Sequence, residues 1–136
     1  YNGEVWMKNS LQFTVNMIAQ EFDFEKLTVY QKALDFIHNI FEIYKKLPKD
    51  FQYTVGSNLV RAGISITNNL AEGSGKKFKK EKTRYYSTSL DSTRECISVF
   101  NVLLREKLIE ENIYTQLRLD AREITAMLCG LINSLG

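Results

Sequence analysis

The 136 residues and 15.8 kDa fit one domain, long enough to bury a core without disulfides or metals. Hydrophobic residues at 44% and charged residues at 25% exclude wholesale disorder, and one Pro with seven Gly favours long helices over a many-turned sandwich or barrel. The net charge of +2 is too small to name a partner.

Residues 1–22 differ from the rest. Leu11, Phe13, Val15 and Met17 alternate with Gln12, Thr14 and Asn16, a period-two pattern that predicts a strand after a turn at Lys8–Ser10. A lone strand is marginal. The segment therefore reads either as an arm packed on the body or on a neighbouring subunit, or as a leader upstream of the natural domain, with Met7 and Met17 as alternative starts.

From Phe24 the period becomes helical, and residues 23–136 read as the domain. Leu27, Tyr30, Leu34, Ile37, Phe41 and Tyr44 recur at threes and fours, with Asp23 or Thr28 as cap. Pro48 stops this helix, and Asp50 is placed to cap the next. That second helix, about 51–72, carries Val55, Leu59, Ala62, Ile66 and Leu70 on its main stripe. Val60, Ile64 and Ala71 form a second apolar strip beside it. The two together exceed the roughly 100° that a one-sided helix needs, so the strip is assigned to a subunit interface, with a tight helix contact as the alternative.

Gly73-Ser74-Gly75 is expected to end the helix, with Gly73 in a left-handed position. A third helix follows from about Phe78 to Lys107, with Tyr86, Leu90, Thr93, Ile97, Phe100 and Leu104 as its stripe. A fourth restarts at Glu110–Asn112 and carries Ile113, Leu117, Ala121, Ile124, Leu128, Leu131 and Leu135 to the end. The fold class is all-α: an antiparallel up-down-up-down four-helix bundle with a short non-helical or strand-like N-terminal extension.

Little points to catalysis. The two cysteines, Cys96 and Cys129, form no CxxC or Cys/His cluster and are expected to be reduced and largely buried, so no metal is assigned. The single His38 lies in the first helix with no Ser/His/Asp arrangement around it, and the Glu-x-x-His pairs of di-metal bundles are missing. Gly73-Ser74-Gly75-Lys76-Lys77 follows a helix rather than a strand and does not match a phosphate loop. No enzyme and no cofactor are expected. No apolar run reaches the ~20 residues of a membrane span, and Glu4, Lys8 and Asn9 interrupt any signal-like stretch. A cytoplasmic protein without a membrane partner is expected.

The strongest charged feature is Lys76, Lys77, Lys79, Lys80, Lys82 and Arg84, offset within 76–84 only by Glu81. The rest of the chain then holds 12 basic against 15 acidic residues, so all the net positive charge sits in this segment. Cations at a helix N-terminus oppose its dipole, which points to a use for them. Contact with RNA or DNA phosphates, with Phe78, Tyr85 or Tyr86 stacking on bases, is the leading reading. An acidic protein partner and a merely solvated face are the alternatives. Arg61, Ser65, Asn69 and Glu72, next to Gly73, share one stripe of the second helix. They read as a structural polar network shaping the loop, with ligand binding as the alternative.

Leu27-x-Val29-Tyr30-Gln31-x-Ala33, followed by Arg61-Ala62-x-x-Ser65-Ile66-x-x-Asn69-Leu70-Ala71-Glu72-Gly73-x-Gly75-Lys76, resembles the bacterial four-helix-bundle family of 23S rRNA intervening-sequence proteins. That family includes the accessory variability protein (Avd) of diversity-generating retroelements. The resemblance runs from about Phe24 to the C-terminus. Ser87-x-Ser89-Leu90-Asp91-Ser92 replaces the family's usual A-x-G-S, and Lys76 stands for its usual Arg. The resemblance implies a non-enzymatic bundle, a homopentameric ring and a basic surface, which fits the reading of residues 76–84 as a nucleic-acid contact, RNA foremost. For retroelement members it also implies a contact with reverse transcriptase and RNA, so a protein–protein adaptor of that kind is the alternative function.

Overall fold

A computed structural model describes residues 2–136. These residues hold five long helices and no strand: α1 (Asn2–Ala19), α2 (Thr28–Lys46), α3 (Ser57–Ser74), α4 (Lys79–Arg105) and α5 (Glu111–Asn133). A 3-10 turn at Asp23–Lys26 precedes α2. A short α-turn (Lys49–Phe51) and a π segment (Gln52–Gly56) lead into α3. The principal packing joins α2 to α3 and α5, and α4 to α3 and α5, so α2–α5 form a closed helical bundle.

The strand expected over Leu11–Met17 is instead part of α1. An isolated strand leaves its backbone groups without partners, whereas a helix satisfies its own. The apolar residues also fit helical spacing: Met7, Leu11, Val15 and Ile18 follow one stripe, and Phe13 with Met17 another. Seven of its large apolar side chains, Val5, Met7, Leu11, Phe13, Val15, Met17 and Ile18, are exposed. Gln12 donates to Asn16 Oδ1 at 2.9 Å and Thr14 to the Ser10 carbonyl at 3.1 Å.

The core face of α2 differs from the expected stripe. Val29, Ala33, Phe36, Ile40, Ile43 and Leu47 are buried. Of the expected set only Ile37 is buried, while Leu34 and Phe41 remain 40% and 38% exposed. α2 is apolar on two adjacent faces, and the bundle uses the one whose β-branched and small residues let it approach α3. Gly63 of α3 faces that approach, and a Cβ there would lie 2.9 Å from Ile40 Cδ1. Phe36 meets Phe100 of α4 edge-on at 5.8 Å, an aromatic contact worth about 0.5–1.5 kcal/mol beyond area burial.

Local chemistry sets the helix ends. Gln31 Nε2 donates to the Glu25 carbonyl at 3.0 Å and ties the 3-10 turn to α2. Pro48, rather than Asp50, stands at the start of the next helical turn, and its carbonyl accepts from Phe51 and Gln52. Gly73 lies inside α3, which runs on to Ser74, and Gly75 ends it with an ordinary φ of −81°. The left-handed turn belongs to Lys107 at φ 59°, where Leu108 N–H donates to the Leu103 carbonyl at 2.8 Å and closes α4. Cys96 is buried as expected, but Cys129 is exposed, because its position on α5 faces away from the stripe of Leu117, Ala121, Ile124 and Leu128.

Candidate nucleic-acid interface

The α3–α4 contact, the most extensive in the bundle, positions the basic segment. Small residues line it. Ser89 donates to the Ile66 carbonyl at 2.7 Å in a fully buried setting, and Ser65 and Ser92 hydroxyls meet at 2.7 Å. Asn69 Nδ2 donates to the Ser65 carbonyl at 2.8 Å and to its hydroxyl at 3.0 Å. Arg61 donates to Asn58 Oδ1 at 2.6 Å and pairs with Glu95 across the seam. The seam thus brings together Arg61, Ser65 and Asn69. Glu72 stands apart: it is exposed and reaches only Lys76 Nζ, at 4.0 Å. Glu95 and Ser92 are the partners that sequence reasoning missed. Hydroxyls at three-residue spacing, Ser89 and Ser92, were the available signal.

Gly73 sets how closely the helices meet at the loop. A Cβ there would fall 2.8 Å from Tyr86 Cε1 and 2.9 Å from Tyr85 Cβ. Its smallness serves this approach rather than backbone freedom. Burial raises the Tyr86 phenol above its usual pKa, opposed by a hydrogen bond with Ser74.

The six cations of 76–84 do different things. Lys82 Nζ donates to the Ser74 carbonyl at 2.8 Å and lies 3.4 Å from that of Gly73, at the C-terminal end of α3. A cation there meets the negative end of a helix dipole, so Lys82 is placed favourably even though it stands near the N-terminus of α4. Lys76 and Arg84 lie over the Tyr85 ring, 5.2 and 5.0 Å from its centroid. Lys77, Lys79 and Lys80 are exposed. These last three are the ammonium groups most open to an anionic ligand.

The strip assigned to an interface divides in the same way. Val60 and Ala71 are half-buried, and Ile64 is 37% exposed. Ile64, with Leu34 and Phe41 of α2, is exposed apolar surface, and Phe41, Tyr44 and Val60 line one shallow groove between α2 and α3. His38 is exposed and 3.9 Å from Glu42, an ordinary surface pair. Among the described residues no group of His, Cys, Asp or Glu is arranged to hold a metal ion. No helix among them is long and apolar enough to cross a membrane.

Residues 25–130 match the family described as 23S rRNA-intervening sequence protein. A solved structure from Bacteroides thetaiotaomicron, described as a protein of unknown function from the S23 ribosomal protein family, superposes with a TM-score of 0.73. It is 24% identical, and the match covers 77% of this chain and 98% of that one, which bears on the fold alone. Comparison with curated proteins returns no match.

Proposed function

This chain belongs to the 23S rRNA-intervening sequence protein family, and from that premise we propose that it is a non-enzymatic, homo-oligomeric protein that binds nucleic acid, RNA foremost, through residues 76–84. The observation that carries this reading is the concentration of the chain's excess positive charge on one loop and helix start, with Lys77, Lys79 and Lys80 exposed. We read α2–α5 as an antiparallel up-down-up-down bundle occupying 23–136. Val60, Ile64 and Ala71, extended by Leu34 and Phe41, form the subunit contact, and α1 is an arm that covers a neighbour. Resemblance to the family favours a pentamer. In a ring, several weak phosphate contacts would add by avidity.

The test is an anisotropy titration of a labelled RNA at two salt concentrations, with light scattering on the same sample. Binding should weaken steeply with salt, by a log–log slope of about 0.7–0.9 per phosphate neutralised. A variant with Lys77, Lys79 and Lys80 changed to Gln should lose affinity for all sequences alike and keep its melting temperature, because exposed charges contribute little to stability. Equal affinity of the two proteins would remove this surface from the binding site. A monomer at micromolar concentration would refute the assembly. No binding by the wild type at low salt would transfer the basic surface to an acidic protein partner, as in a reverse-transcriptase accessory subunit.

A further inference from the structure

The three aromatic residues of the basic segment have separate fates. Tyr86 is 4% exposed and packed on Gly73. Tyr85 is half-buried, and its ring already carries Lys76 and Arg84. Phe78 is 63% exposed. It is the residue before α4, with extended backbone at φ −100° and ψ 141°, so it stands at the turn between loop and helix. Lys77 Nζ lies 5.9 Å from its ring centroid, and the exposed Lys79 and Lys80 follow it directly.

A large apolar ring left in water among ammonium groups suits a ligand that offers a flat π-face and negative charge together. Unpaired nucleotides do so, each with a base to stack and a phosphate to neutralise. A duplex presents phosphates but keeps its base faces stacked inside. We propose that the basic surface takes single-stranded nucleic acid, and that Phe78 is the platform on which one of its bases stacks. The proposal rests on the nucleic-acid reading of residues 76–84 and adds the strand state of the ligand and the residue that selects it. Tyr85 is the poorer platform, because it is half-buried and Lys76 and Arg84 already lie over its ring.

The experiment titrates a labelled, unstructured oligouridylate and a blunt RNA duplex of equal length against wild type, Phe78→Ala, Phe78→Trp and the Lys77/Lys79/Lys80→Gln variant. Wild type should prefer the single strand. Phe78→Ala should lose roughly 5- to 150-fold on the single strand, as expected for one base–aromatic stack, and change little on the duplex. Its salt slope should stay that of wild type, since no phosphate contact is removed. Phe78→Trp should bind the single strand at least as well as wild type. The lysine variant should weaken on both ligands and show a shallower salt slope.

If Phe78→Ala binds the single strand like wild type while the lysine variant fails, the stacking proposal falls and the electrostatic reading stands. If wild type binds neither RNA at low salt, both fall. A third arm uses vesicles of anionic phospholipid: binding lost in Phe78→Ala, with none to RNA, would make the ring a membrane wedge and overturn the proposal. Circular dichroism melts of all variants check that the bundle is intact, which an exposed ring at 78 should not affect.

Discussion

Two buried glycines of α3 should respond differently to the same substitution. Gly63 and Gly73 both lie in the helix, and replacing either with alanine gains about 1 kcal/mol of helix propensity. The opposing cost differs. At Gly63 the new methyl meets Ile40 Cδ1 at 2.9 Å, the far end of a side chain that can turn for about 0.5–1.5 kcal/mol. At Gly73 it meets Tyr85 Cβ at 2.9 Å and the Tyr86 ring at 2.8 and 2.9 Å. A Cβ moves only with its backbone, so the two helices must part, which places the change near the upper end of the roughly 1–3 kcal/mol range for overpacking. The net effects are about zero for Gly63→Ala and about 2 kcal/mol of destabilisation for Gly73→Ala.

Unfolding entropy of about 2.1 cal/mol/K per residue makes 1 kcal/mol worth roughly 3–4 °C in a chain of 136 residues. Gly73→Ala should therefore melt about 7 °C below wild type, and Gly63→Ala within about 2 °C of it. Circular dichroism at one fixed protein concentration reads both, because assembly would otherwise shift the midpoint. A Gly73→Ala midpoint at or above wild type, or equal losses at the two sites, would refute the close-approach reasoning.

Among the lysines, Lys82→Gln should lower stability by about 1 kcal/mol through loss of its charged bond to the end of α3, while Lys80→Gln should leave the melt unchanged. Urea titrations of the two variants measure the difference. Burial, foremost, pushes the Cys96 thiol up to about 12 from an ordinary 9.0. The native protein thus keeps a proton that the unfolded chain gives up from about pH 9, so the stability this group contributes is whole below pH 9 and is lost as pH rises towards 12. In thiol titration at pH 8, Cys129 should react in the native state and Cys96 only after unfolding, and two fast thiols would contradict the burial of Cys96.

Helix existence and order in residues 24–136 were legible because threes and fours of Leu, Ile and Phe are hard to mistake over such lengths. Choosing the inner face was harder. Leu34 and Phe41 are as hydrophobic as Phe36 and Ile40, so hydrophobicity alone cannot rank two adjacent stripes, and the choice is made by how the whole helix packs against its neighbours. The alternation at Leu11–Met17 failed for a related reason: four residues at period two also contain pairs four apart, and α1 uses those. In the basic segment, composition identified the charge but not its division of labour. That Lys82 is held by carbonyls and Tyr85 by Lys76 and Arg84 depends on where α3 ends, two residues beyond the expected stop at Glu72.

The serine seam has a mechanical consequence. With Ser89 bonded to the backbone of α3 and Ser65 to Ser92, two polar ties fix the register of the paired helices, which meet like the tines of a fork. The loop at its tip therefore inherits its direction from the handle. Changes within 75–80 can reset charge and stacking without re-aiming the surface. A bulkier residue at 89, about 15 Å of helix from the start of α4, would part the two helices and tilt the tip from a distance.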